Sequence, residues 1–185
     1  MKNILVDTIV AVILLCWSMV AFAQDQKPDQ KAPTLRSVLL EELKTTHNKK
    51  DWFVPANIAV EGLTAEQASW TDGHGNHSIG QLANHLAFWN AQVLAKFKKE
   101  TPAKYSGHND DTFNSFDAKQ WKETVQQLDK VMVDLEHFVE SADEKTLEQN
   151  AQMIATLATH NAYHIGQIIY IRRLQGSWNP EIGVK

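Results

Sequence analysis

Between Ala151 and Leu174 the chain reads AQMIATLATHNAYHIGQIIYIRRL. Met153, Leu157, Ile168 and Ile171 recur at steps that an α-helix places on one face, and the same stripe runs through His160 and His164. The spacing predicts a helix over this whole stretch. Gly176 just past its end and Pro180 soon after supply the stop. Gly166 lies mid-helix, where glycine costs about 1 kcal/mol relative to alanine. Its expected use is close approach by a neighbouring helix beside the histidine pair.

Three further segments upstream carry the same period. Leu35, Val38, Leu39 and Leu43 follow Thr34, a natural N-cap, and this first helix is expected to run past Trp52 with a kink at Pro55 and a stop at Gly62. Thr64 to Gln67 has the form of a capping box for a short turn ending near Trp70. After the loop Asp72 to Asn76, Ser78 caps a second helix with Gln81 three residues on, and Ile79, Leu82, Leu86, Trp89, Val93 and Phe97 form its stripe. Asp117 opens the third helix, through Trp121, Val125, Leu128, Met132, Leu135 and Val139. Thr101 to Phe116 and Ser141 to Gln149 read as polar connections, and no period-2 pattern competes. Four amphipathic helices in 185 residues predict an all-α four-helix bundle.

Composition narrows the functional classes. Lys and Arg number 18 against 22 Asp and Glu, a net charge of -4, and no basic run exceeds two residues, so no nucleic-acid partner is expected. The first 23 residues stand apart. Lys2 precedes the apolar stretch Thr8 to Ala23, and Ala21-Phe22-Ala23 supplies a small-x-small cleavage pattern before Gln24. The stretch falls short of the roughly 20 apolar residues that a membrane span needs. A cleaved secretory signal over 1–23 follows, with export to the periplasm or the extracellular space and no stable membrane insertion afterwards. Residues 24–33 read as a disordered polar linker and 34–178 as the folded domain. The single cysteine, Cys16, lies within the signal, which leaves the rest of the chain without disulfide, thiolate nucleophile or Cys-ligated metal.

Eight histidines are many for this length. His160 and His164, four apart on a helix, share one face a single turn apart, within reach of one metal ion. Two imidazoles in place of aliphatic core residues need polar partners, and a metal supplies that compensation directly. On the second helix His85 lies three residues after Leu82 and four before Trp89, again on the apolar side. Three nitrogens from facing helices give an open zinc-type site with a fourth position for water or substrate. Taken singly, H-x-x-x-H divides evenly between ligation and hydrogen bonding, and His85 alone reads first as a half-buried, satisfied histidine. His47 reads first as a helix-surface histidine, with a fourth ligand or general base as the alternative. His74 and His77 read as solvated loop residues that could line a site mouth, and His108 and His137 as surface positions. Trp52, Trp70, Trp89 and Trp121 read as core or rim packing, with Trp89 placed to wall a pocket beside His85. No phosphate-cradling loop, H-E-x-x-H, G-x-S-x-G or Glu-x-x-His di-iron pattern is present.

The blocks Ser78-Ile79-Gly80-Gln81-Leu82-Ala83-Asn84-His85-Leu86 and His160-Asn161-Ala162-Tyr163-His164-Ile165-Gly166-Gln167-Ile168, ending in Ile171-Arg172-Arg173-Leu174, resemble the DinB/YfiT-like superfamily over about residues 35 to 176. The resemblance implies a four-helix bundle holding a divalent metal on one histidine of the second helix and two of the fourth, at the positions of His85, His160 and His164. It also implies a metal-dependent enzyme, with thiol-dependent transferases and isomerases among the relatives. Relatives often carry an acidic residue where this chain has Asn161, which puts a carboxylate role near the metal in doubt. The expected function is an exported metal-dependent hydrolase acting on a small molecule. A thiol transferase or isomerase and a non-catalytic metal-binding stress protein are the alternatives. Zinc is the first expectation for the ion; nickel and manganese also suit three imidazoles. Exposed tryptophans would support a homodimer.

Overall fold

The computed structural model describes residues 32–184. The expected signal over 1–23, and the expected linker up to residue 31, lie outside the described residues. A compact unit begins at Thr34. It holds seven α-helices: α1 (Leu35–His47), α2 (Ala56–Val60), α3 (Ala65–Ser69), α4 (Ile79–Phe97), α5 (Asp111–Asn114), α6 (Trp121–Ser141) and α7 (Glu144–Leu174). No strand occurs among the described residues, and no described helix is long and apolar enough to cross a membrane. The four long helices form the bundle, with α1 and α4 each packed against both α6 and α7.

Local chemistry sets the helix starts. Thr34, Thr64 and Ser78 each close a capping box, with Ser37, Gln67 and Gln81 as the reciprocal partners. Two boundaries differ from the sequence expectation. The first helix stops at His47 rather than passing Trp52, because Lys49, Lys50, Asp51 and Trp52 bury nothing; Trp52 is 92% exposed. Proline disfavours the α conformation in the residue before it, so Pro55 becomes the N-cap of a separate short helix instead of a kink. The connection expected over Ser141 to Gln149 shrinks to Ala142 and Asp143. Asp143 accepts from the Thr146 backbone N–H at 2.8 Å and starts α7 seven residues early, which buries Leu147 completely.

Two arginines tie helix ends together. Arg36 on α1 donates to the carbonyls of Val139 and Ala142 at the C-terminus of α6 and to the Glu144 carboxylate. Arg172, only 4% exposed, donates to Ile58 O, Ala59 O and Ser177 O, which ties the end of α2 and the segment after α7 to one buried side chain.

The core is divided. One apolar cluster joins α2, α3 and the first half of α4 to Leu128 and Met132 of α6 and Ile165, Ile168 and Ile171 of α7. The other joins Leu39 and Leu43 to Val93, Leu94, Phe97, Leu135, Val139, Ile154 and Leu157. Between them on α4 and α7 lie Asn90 and Asn161, both essentially inaccessible, which exchange side-chain hydrogen bonds of 2.8 and 3.0 Å. Met153 does not join the buried stripe that its spacing predicts and remains 49% exposed.

Candidate metal centre

His85 is held from three sides. A capped first turn fixes the start of α4, and there a Cβ on Gly80 would stand 2.2 Å from the Phe116 ring, so only glycine lets that ring lie against the helix. Gly166, expected to do the same on α7, meets nothing within 4 Å, so close helix approach is not its role. The His85 ring is 2% exposed and stacks on Phe113 at 3.9 Å between centroids. His77 stacks at 3.9 Å on Phe113 as well, which leaves the phenyl ring between two parallel imidazoles. His77 therefore backs Phe113 rather than standing free in solvent, and it lines a neighbouring cavity and not the one above the cluster.

The three histidines expected as ligands come together, with one ring nitrogen from each lying within 4.8 Å of the others. His85 Nε2 is 3.1 Å from His160 Nε2. Two nitrogens on a tetrahedral ion, each at about 2.0–2.1 Å from it, stand about 3.3 Å apart, close to the observed separation. The hydrogen bonds behind the rings fix their tautomers. Thr112 Oγ1 donates its one proton to Asn109 O at 2.6 Å, so it accepts from His85 Nδ1 at 2.5 Å and leaves Nε2 unprotonated. His164 Nδ1 donates to Gln167 Oε1 at 2.6 Å, which frees its Nε2 in the same way. At 3.1 Å a lone pair that faces another ring nitrogen needs a proton or a cation between them. The donor set thus fits a divalent first-row metal ion.

The electrostatics agree. Burial, and then the neighbouring His164, His160 and His77, hold the His85 imidazole down to about 3. Burial and His164 hold His160 down to about 4. His164 is lowered by burial, against the pull of its Gln167 bond. All three rings are neutral near pH 7, the form that ligates metal.

Above the cluster opens a cavity of about 320 Å³ whose walls include Trp89, Phe113, Met153 and Leu157. A larger cavity, about 610 Å³, lies against His47, Trp121 and Met132 and contains none of the three histidines. His47 itself is 2% exposed, contrary to its expected surface position. Its Nδ1 meets Glu136 Oε1 at 2.6 Å and its Nε2 meets Asp129 Oδ1 at 2.9 Å, so both nitrogens are taken up by α6. Asn161 turns away from the cluster into its pairing with Asn90. Thr112 and Phe113 are site residues that the sequence reading did not find, since they lie in the segment expected to be a plain connection.

An all-helical bundle that gathers three neutral imidazoles from two helices under an open cavity defines a helical protein with a candidate mononuclear metal centre. The sequence pattern of the DinB superfamily matches residues 56–168, a span that holds all three histidines, and the chain belongs to that superfamily. Comparison with curated proteins and with solved structures returned no match.

Proposed function

We propose that this DinB-superfamily chain is an exported metal-dependent hydrolase acting on a small molecule, with His85, His160 and His164 as the metal ligands and zinc as the first-choice ion. The observation that carries the reading is the convergence of three imidazoles, two with tautomers fixed from behind, beneath a cavity on their open side. The bound ion would supply Lewis-acid polarisation of one further ligand and bring a water molecule's pKa toward neutrality. Thr112 and Gln167 hold protons on the far nitrogens of His85 and His164, which keeps the near nitrogens as lone-pair donors. Phe113, stacked on His85, and Trp89 line one flank of the cavity beside the cluster.

The occupied nitrogens of His47 favour an open fourth position over a saturated site, and so an enzyme over a storage or structural role. Export rests on residues 1–23 alone, and N-terminal sequencing of the exported protein should begin at Gln24; a start at Met1 would favour a tethered form. Metal analysis of the purified protein should give one ion per chain, and X-ray absorption should give three nitrogen ligands plus one exchangeable oxygen. Four nitrogen ligands would decide for a non-catalytic metal-binding protein. A screen of ester, amide and thiol-transfer substrates then separates hydrolysis from thiol chemistry.

A further inference from the structure

We infer that the cavity above the three histidines selects a small, uncharged, largely apolar substrate whose only polar head goes to the cluster. The inference rests on the metal-centre reading and adds the chemical class of the ligand. Its first support is the lining. Trp89, Val93, Phe113, Met153 and Leu157 supply apolar walls, and the polar remainder beside the histidines is Asn109 and Thr156. No Asp, Glu, Lys or Arg lines this cavity among the described residues.

Both polar groups are uncharged and each already makes one hydrogen bond: Thr156 Oγ1 donates to Gln152 O at 2.9 Å, and Asn109 Oδ1 accepts from Trp89 Nε1 at 3.3 Å. A carboxylate or phosphate on the substrate's tail would lose water and find no cation in the walls, and an ammonium would find no carboxylate. Burying either without a partner is heavily unfavourable. The only charge the site gains is that of the ion, which the head group occupies.

The walls also look built for an apolar guest. Trp89 is braced edge-on by Phe88 and Tyr105 at 5.4 Å each and by His85 at 6.4 Å, so it is a rigid plane. Met153 reaches the same cavity from α7 while half its surface meets solvent. A flexible thioether at that rim can close over apolar guests of varied shape. The volume of about 320 Å³ lies at the small end for ligand sites and suits one ring or a short alkyl chain beyond the head.

The test uses the cobalt(II)-loaded protein, with visible absorption and calorimetry as readouts. Acetohydroxamate, benzohydroxamate and 4-carboxybenzohydroxamate share one metal-binding head and differ only in the tail. Benzohydroxamate should bind roughly tenfold or more tightly than either of the others. Trp89→Ala should erase most of that advantage at unchanged cobalt stoichiometry. Met153→Lys, at an already exposed position, should shift the preference toward the carboxylate analogue. Equal or tighter binding of the carboxylate analogue by the unaltered protein would overturn the inference. A parallel titration of metal-free protein with 4-fluorobenzyl alcohol and 4-fluorobenzoate, followed by fluorine NMR, separates the two readings. If cobalt fails to bind yet the alcohol is preferred and Trp89→Ala abolishes the preference, the metal reading falls and the apolar selection stands. If the alcohol shows no preference there, the selection falls.

Discussion

Thr112 and His47 occupy opposite relations to the candidate centre, and each yields a measurable consequence. Thr112→Val keeps the shape of the side chain but removes the acceptor behind His85 Nδ1, leaving a buried N–H unpaired and the ring free to turn. Losing such a partner typically lowers metal affinity about 10–100-fold; a chelator-competition titration should show a loss in that range with the helical content unchanged. His47→Ala should leave metal affinity alone, because its nitrogens serve Glu136 and Asp129. It should instead lower stability by about 1–3 kcal/mol in urea melts, because the buried Glu136 carboxylate loses its hydrogen-bond partner. A tenfold loss of metal affinity in that variant would return His47 to the ligand set.

The cluster also sets a pH dependence. The His85 and His160 values of about 3 and about 4 lie below the ordinary 6.5. Below pH 6.5 the unfolded chain therefore takes up protons that the folded cluster refuses, and stability rises with pH through that window. In chelator, the urea midpoint should be highest above pH 6.5 and fall steadily toward pH 4, with a shallower fall in His85→Ala. A midpoint independent of pH between 6.5 and 4.5 would contradict the burial of the cluster.

At the scale of elements, the Asn90–Asn161 pair joins α4 to α7 midway along both. Each amide satisfies the other, so removing one strands a buried polar group at about 1–3 kcal/mol. Asn90→Leu and Asn161→Leu should each destabilise by that order, while the double variant recovers part of the loss in a mutant cycle. Its metal affinity should stay low, because two leucines permit sliding where two amides specify one register. Full recovery of metal binding in the double variant would remove the pair from any positioning role. Elements of this length were legible because their apolar residues repeat over several turns, and His85, His160 and His164 could be chosen because they interrupt those repeats. The four-residue α5 has no repeat to read. Thr112 and Phe113 are set against His85 by tertiary packing alone, and no local pattern announces them. His47 reads as a surface position for the same reason, as its carboxylate partners come from another helix, 82 and 89 residues on. The early start of α7 was signalled only by Asp143 with Thr146, a single cap that the polar run around it obscures.

For the whole molecule, the separation of the core into two apolar clusters matters more than its total size. α4, α6 and α7 each contribute at least three buried apolar side chains to each cluster, and α7, with 31 residues and a length of about 45 Å, is the longest of them. The metal candidates and the amide pair lie where the clusters meet, so the site draws rigidity from both without belonging to either. Cooperative opening follows contiguous packing, which gives the molecule two natural units of opening with a boundary along α7. Amide hydrogen exchange along that helix should therefore not decay smoothly from its ends. It should show two plateaus of protection that change near Asn161, and addition of zinc should merge them into one; a single uniform plateau in the metal-free protein would mean that the clusters open together. A protein arranged in this way would report its metal status mechanically, as two loosely coupled halves when empty and one continuous body when loaded.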